Sequence, residues 1–409
     1  MDNKSYNYVI IGGGLLGSAT AYQLAKRGAT GIAVFDRNEI ATQASSRAAC
    51  LLTRARVKRI LMPIVQETYD CIDEIEKLTG DSLELQTTGS ITTASGSVAL
   101  EGLDALEEAA NSFGIECSRI GNTRVKELLP WIDTSDITSS LYMPTDAYID
   151  SSLLCSGYAA AAKILGVEYY SNCGVAQIIS QSNKISGVRL DDGRVVNAPI
   201  VINAAGGWSN NLMRTLGVGL PLTPVRSHFW ITEIDKEQFP SGHPFSVISD
   251  ARAFTRADVG ALIIGLRESE CLSFDASTLT DSLEDFDFEQ GAKWRVLDEC
   301  APQFKRYYNN IDNIGIAHYV AGPSCYVPDA MFVIGDIQQH RGLYTISGCC
   351  GAGVAAGGGM GRLMAEIVLG ITPFVDATPF LPSRFGEVDP FSEAFQRRCA
   401  EARSNKKSG

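Results

Sequence analysis

At 409 residues, with 45% hydrophobic and 20% charged side chains, the chain reads as an ordinary globular protein of two or three domains, or of two with interleaved segments. Its formal charge of −12 argues against a nucleic-acid partner or an anionic membrane surface, and no apolar run approaches the ~20 residues that span a bilayer. The eleven cysteines form no CxxC, and the four histidines, His228, His243, His318 and His340, lack ligand spacing, so no metal site is expected.

The opening MDNKSYN passes straight into a strand without a signal peptide, so a cytoplasmic protein with free thiols is the expectation. Tyr8–Ile11 is that strand. It enters Gly12, Gly14 and Gly17, spaced GxGxxG at the mouth of a helix, and the apolar run Gly31–Phe35 closes the unit before Asp36. Gly12 permits a tight turn, Gly14 admits a pyrophosphate where a Cβ would collide, and Gly17 lets helix and sheet lie close. The helix N-terminus offers N–H groups to phosphates, and Asp36 a carboxylate to an adenosine ribose. The pattern alone is weak; with strand and helix on either side it predicts a dinucleotide site.

The small-residue stretch ATQASSRAACLLTRAR follows, able to approach a flat ligand or to form a packing seam. A helix is predicted from about Ile60 to Leu78, its apolar stripe facing a core. From Ser82 the pattern shifts to a strand pair (Leu83–Thr88, Ser90–Ala94), a helix near Val98–Phe113, a strand at Ile115–Ile120 and a helix ending at Pro130. A helix at Ser151–Leu165 is followed by strands Val167–Ser171 and Val175–Ser180, then a hairpin of Lys184–Leu190 and Arg194–Asn197 turning at Asp192-Gly193. Ile200–Trp208, IVINAAGGW, is a strand that must turn without side chains, as beside a bound cofactor. Strands then follow at Pro224–Glu233, Phe245–Ile248, Ala253–Arg256, Ala261–Gly265 and Ile314–Val320, interrupted by an acidic helical region, Leu283–Cys300. Met331–Asp336 and Leu343–Ile346 are the last strands. A glycine-rich loop then opens a helix, and the tail from about Ser392 to Gly409 is helical or frayed.

The opening βαβ unit, the SSRAA segment, NAAGGW, AGPSCYVPDAMFVIGD and the closing glycine-rich helix occur in one order over nearly the full chain. In this the chain resembles the FAD-dependent D-amino-acid oxidase and sarcosine oxidase superfamily, which includes glycine oxidases and D-amino-acid dehydrogenases. The resemblance implies an α/β fold, with a doubly wound FAD domain (1–81, 141–220, 323–409) and an interleaved α+β substrate domain carrying an antiparallel sheet (82–140, 221–322). It places FAD against Gly12, Gly14, Leu15, Leu16 and Gly17, against Asp36 and Arg37, and against Ser45, Ser46, Arg47, Ala49, Cys50 and Leu51. Further contacts fall at Val175, Ala204, Ala205, Gly206, Trp208, Gly348, Gly351, Ala352, Gly353 and Val354. At Gly351–Val354 the helix N-terminus would face the pyrimidine edge of the flavin, where reduction brings negative charge.

Two departures from the family pattern stand out. Ser324, in AGPS, stands where many amino-acid oxidases of the family carry a carboxylate-binding arginine. Gly322 stands where sarcosine oxidases carry the cysteine that bonds to the flavin, so non-covalent FAD is expected. Arg54 and Arg56 offer a displaced anion clamp or a solvated turn. His228 and Trp230 share a strand face that looks at flavin or core, and Phe254 and Arg256 share another near the substrate. Tyr319 and Tyr326 flank Ser324 as pocket lining or as structural tyrosines. Cys349 and Cys350 read as small residues filling tight space.

The leading function is hydride removal from a carbon bearing nitrogen, giving an imine that water hydrolyses. The substrate is a small amine or amino acid, with a secondary or N-substituted amine favoured by the missing arginine. A flavin-carrying subunit of a heteromeric dehydrogenase or a homo-oligomer remains open; a NAD-dependent Rossmann dehydrogenase is disfavoured by the closing glycine helix.

Overall fold

The computed structural model describes residues 4–289 and 293–406. Tyr8–Ile11 lies inside a six-stranded sheet, parallel to Ile32–Phe35 on one side and Ile200–Asn203 on the other. Glu168–Tyr170 extends the sheet past Ile32–Phe35, and Leu343–Ser347 extends it past Ile200–Asn203. Val333–Asp336 closes that edge antiparallel. Both faces are covered, as the unbroken apolar character of these strands requires. Ile10, Val34, Ile202 and Ile346 point into a core shared with helices Leu15–Lys26, Met62–Thr79, Ser151–Ile164 and Gly353–Leu369. Val9, Ile11, Phe35 and Val201 point the other way, toward the antiparallel sheet of Val175–Gln181, Lys184–Leu190 and Val195–Asn197 and the last helix, Glu393–Ser404.

The helix Gly353–Leu369 differs from the expected glycine loop. Most of its glycines lie inside the helix, where they let it sit on two others: a Cβ on Gly359 would stand 2.2 Å from the carbonyl oxygen of Ile64, and one on Gly361 would stand 2.7 Å from the carbonyl carbon of Ala19.

An eight-stranded sheet forms the second layer, in the order Ile316–Tyr326, Thr223–Thr232, Ala261–Leu266, Ala253–Asp258, Phe245–Ile248, Ser90–Ala94, Ser139–Met143, Ser118–Ile120. Its pairings are antiparallel except that of Phe245–Ile248 with Ser90–Ala94. Two of these strands, Ser139–Met143 and Ile316–Tyr326, run across the expected segment limits at 140 and 322. The second is an edge strand, which is why it accommodates Pro323 without losing an inner ladder bond. Behind the sheet, Trp230, Phe239, Phe304, Tyr307 and Tyr308 form a separate core.

Three local expectations change. Leu83–Thr88 is no strand: Glu84 adopts a φ of +55°, and only Gln86 bridges, to Tyr148. The acidic region resolves into a single turn at Leu283–Asp285 and a helix at Lys293–Lys305, with residues 290–292 of that expectation outside the described residues. The tail is helical over Glu393–Ser404, and 407–409 lie outside the described residues.

Candidate active site

A cavity of about 460 Å³ opens at the ends of Tyr8–Ile11 and Ile200–Asn203, where the chain switches from building one side of the sheet to the other. Open α/β sheets bind ligands at such a point. Gly12 (φ +104°) lies so close to the neighbouring strand end that a Cβ would stand 2.6 Å from the Ala204 oxygen. Gly17 packs helix onto turn, its Cβ position 1.9 Å from the Gly12 oxygen. Gly14 is different. The nearest atom to a Cβ there is Ser45 Oγ at 3.2 Å, so its bareness opens the cavity wall rather than serving the fold. Ser45 Oγ in turn accepts from the Leu15 N–H at 3.0 Å, fixing the small-residue segment to the helix N-terminus.

Asp36 is oriented by two backbone donors, Gly13 N at 2.6 Å and Asn38 N at 2.9 Å. Burial pushes its carboxyl up, against the pull of those two bonds. A carboxylate has about four acceptor sites, so it retains capacity for ribose hydroxyls. Beside it, Arg37 pairs with Asp281, and the Asn38 amide donates to the Asp281 carbonyl at 2.9 Å.

The cavity continues past Arg47, which donates to the Ala321 carbonyl at 3.0 Å while its Nε is buried without a partner. Gly322 lies under that side chain, with a Cβ position 3.0 Å from Arg47 Cβ. Ser324 Oγ and Ser347 Oγ also line the cavity, buried and unpartnered. Such orphaned polar atoms are costly unless a ligand satisfies them. Together with the bare turn at Gly14 and two helix N-termini lacking side-chain caps, they fit a long polar cofactor of the FAD type.

Of the residues expected to hold the cofactor, Gly12, Gly14, Leu15, Leu16, Asp36, Arg37, Ser45, Arg47, Ala49, Cys50, Leu51, Val175, Ala204, Ala205, Gly206, Trp208, Gly351, Gly353 and Val354 line the cavity. Gly17, Ser46, Gly348 and Ala352 do not. Gly17 faces the turn backbone, Ser46 bonds the Thr42 and Gln43 carbonyls in its own turn, Gly348 lies against Val327 and Val333, and Ala352 is the N-cap residue of the closing helix. Cys349 reaches the cavity, whereas Cys350 turns inward toward the Gly348 carbonyl at 3.3 Å.

Among the expected substrate residues, Arg56, His228, Phe254 and Tyr326 line the cavity; Arg54 and Arg256 do not. Arg54 stacks on Tyr69 with its guanidinium carbon 3.5 Å from the ring centroid, and bonds the Thr145 carbonyl at 3.0 Å. Arg256 lies over Tyr148 at 4.2 Å and pairs with Asp258 at 3.3 Å. Both are held by the protein itself. Phe254 fits because its cross-strand partner is Gly265, where a Cβ would sit 1.9 Å from the ring.

His228 has no free nitrogen. Its Nε2 lies 3.0 Å from the Leu266 carbonyl, which only accepts, so Nε2 carries the proton; Nδ1 then takes the Tyr319 hydroxyl at 3.0 Å. Burial lowers its pKa, which keeps the ring neutral. Trp230 beside it belongs to the core behind the sheet.

Three cations that sequence reasoning missed also line this end: Arg267, Arg403 and Lys406. Arg403 donates to the Tyr326 hydroxyl at 3.1 Å and Lys406 to the Cys350 carbonyl at 3.2 Å. A signal existed. Phe395, Cys399, Arg403 and Lys406 continue one helical stripe, and basic residues in a stripe that begins apolar mark a buried charge.

Among the described residues no helix is long and apolar enough to cross a membrane, and no group of three or more His, Cys, Asp or Glu is placed to hold a metal. The sequence is 24% identical over 378 residues to 4-methylaminobutanoate oxidase (formaldehyde-forming) of Paenarthrobacter nicotinovorans, covering 92% of this chain and 45% of that protein. It is 26% identical to human mitochondrial sarcosine dehydrogenase, covering 93% and 41% respectively. The chain thus spans less than half the length of these relatives. The fold matches the crystal structure of L-proline dehydrogenase from P. horikoshii with a TM-score of 0.81 at 23% identity, over 95% of this chain and 100% of that one. Residues 7–367 match the DAO family of FAD dependent oxidoreductases, and with the glycine turn, Asp36 and the orphaned polar atoms lying along one cavity, the chain belongs to that family.

Proposed function

We propose that this chain oxidises a C–N bond of an amine or N-substituted amino acid to an imine, which water then hydrolyses. The observation that carries this reading is the wall around Phe254 and Tyr326. The acids lining the cavity, Asp36, Glu39 and Asp281, gather around Asp36, and His228 has both nitrogens engaged. Neither these acids nor His228 is placed to take a proton from a substrate against that wall. A neutral amine needs none taken, because its lone pair drives the departing hydride. FAD, when bound, supplies the acceptor for that hydride. The protein's part is to orient the substrate and keep water out, with the rings of Phe254 and Tyr326 as walls.

Gly14, Ser45 and the Leu15 helix would hold the pyrophosphate, Asp36 the ribose, and Arg47 with Gly351–Val354 the flavin ring. The cofactor is non-covalent on this reading. Gly322 carries no thiol, and burial pushes the thiols of Cys50 and Cys325 up, away from the thiolate needed for attack. Eleven unpaired cysteines support a reducing, cytoplasmic setting.

The test is anaerobic mixing of the yellow protein with primary and secondary amines. Bleaching whose rate rises with pH, as the bound amine loses its proton, is expected, and FAD should leave the chain on acid precipitation. No bleaching by any amine, or colour that stays in the pellet, contradicts the corresponding claim. A second reading, a flavin-carrying subunit working with partner chains, is distinguished by sizing of the native complex.

A further inference from the structure

Arg267, Arg403 and Lys406 converge on the cavity from the strand end after Leu266 and from the last helix, and Arg56 lines the same wall. Arg267 Nε and Arg403 Nε are buried without partners, and Arg403 is only 8% exposed. The nearby carboxylate hydrogen-bonds elsewhere: Glu268 is held by Arg226 through Nε at 2.9 Å and Nη2 at 2.6 Å, with His228 Nε2 3.4 Å from its other oxygen, and it acts on Arg403 through its charge alone. Glu268 does not line the cavity.

The electrostatics separate the three cations: burial opposes the Arg403 charge, but Tyr326, Cys271 and Glu268 more than offset it, whereas Lys406 and Arg267 are both pushed down. Lys406 is brought down to about 7 by burial and then by Arg56, Arg267 and Arg403. Arg267 is lowered to about 10 by burial and by Arg403. Cations that repel one another in a buried space are stabilised by anions, and one carboxylate engages at most two of them well.

We propose that the substrate of this site carries two carboxylates flanking the reacting amine, and that Arg267, Arg403 and Lys406 bind them. The carboxylate that Ser324 cannot hold is thereby anchored by these cations, of which Arg403 bonds Tyr326 two residues along the same strand, and a second anion completes the neutralisation. The last helix and the residues just past it are then a specificity element, since they supply Arg403 and Lys406. The reaction rests on the amine-oxidation reading; the anion site rests on the cavity alone.

Binding is read without turnover by perturbation of the oxidised flavin spectrum in the holoprotein. The probes are diglycolate, an ether with two carboxylates, and methoxyacetate, its one-carboxylate counterpart. Diglycolate is expected to bind roughly ten-fold tighter or more, a difference that shrinks toward unity in Lys406→Met and Arg267→Met and survives in Lys406→Arg. Lys406 lies past the end of its helix, so its variants fold even if Arg267→Met does not. Equal binding of the two ethers, or a ratio unchanged in every variant that folds, overturns the proposal.

A parallel arm compares anaerobic bleaching by dimethylamine, sarcosine and iminodiacetate, with zero, one and two carboxylates. Fast bleaching by dimethylamine with no binding of either ether refutes the dianion site and leaves amine oxidation standing. Tight diglycolate binding with no bleaching by any amine refutes amine oxidation and upholds the anion site.

Discussion

The two ends of the cavity are built in opposite ways. Around Asp36 the wall comes almost entirely from residues 11–51, and its carboxylate, hydroxyl and amide groups bond to one another. Around Lys406 the wall is assembled from Arg56, Phe254, Arg267, Tyr326, Arg403 and Lys406; its charges are of one sign, and Arg267 Nε and Arg403 Nε are buried without partners. The first end keeps its shape before anything binds. The second, on the anion-site proposal, gains stability when an anion arrives, and so trades stability for recognition.

The largest break is expected at the one neutralised pair behind the cationic end. Arg226 and Glu268 are each 3% exposed at the side chain and 2.6 Å apart, and Arg226 also donates to the Phe288 carbonyl at 3.0 Å. Arg226→Met strands the carboxylate, and a loss of about 3–5 kcal/mol in urea unfolding is expected.

Glu268, through all of its partners, also sets an acid limb. Burial alone would raise the Glu268 carboxyl from 4.5, but His228, Arg403 and Arg226 bring it to about 2. A depressed folded value means that the stabilisation, about 3 kcal/mol, is fully present above pH 4.5 and lost as pH falls toward 2. Unfolding midpoints measured from pH 5 down to pH 2 should show that limb in the native chain and a flatter one in Arg226→Met.

At the Asp36 end the glycines separate fold from ligand. Gly17→Ala forces a methyl to within 1.9 Å of the Gly12 oxygen, and a loss of about 3 kcal/mol is expected. Gly14→Ala meets only Ser45 Oγ at 3.2 Å, so unfolding should move by less than about 1 kcal/mol while FAD retention on gel filtration drops. Equal losses of stability in the two variants would erase the distinction.

Contiguity explains what was legible. The βαβ unit puts its ligand groups within one short run, so spacing alone located Gly12, Gly14 and Asp36 and their sheet. The cationic end depends on which distant segments the fold brings together, and no spacing rule encodes that. Arg54 and Arg56 looked equivalent in sequence, yet Tyr69 captures the first and the cavity receives the second. Gly17, expected both to pack helix on sheet and to hold the cofactor, lies off the cavity against the Gly12 oxygen, because the GxGxxG spacing serves helix packing as well as phosphate approach. The tail read as polar, helical or frayed, because the buried face of its helix holds only Phe395, Cys399, Ala400 and Arg403.

The smallest effect tests whether the cationic end behaves as a unit. With its free value brought to about 7, Lys406 is charged below neutrality and loses its proton above it. Diglycolate has no group titrating near pH 7, so any change in its affinity there belongs to the protein. Affinity should be level below pH 7 and fall several-fold between pH 7 and 9 as the ammonium is lost. The fall should vanish in Lys406→Arg, because guanidinium keeps its charge throughout this range. Amine oxidation pulls the other way, gaining rate as the substrate nitrogen deprotonates, so reduction by a dicarboxylate amine should pass through a maximum near neutrality. Reduction by an uncharged amine should rise across the same range. A single rising profile for both substrates would show that Lys406 holds no part of the substrate, leaving Arg267 and Arg403 as the anion anchor.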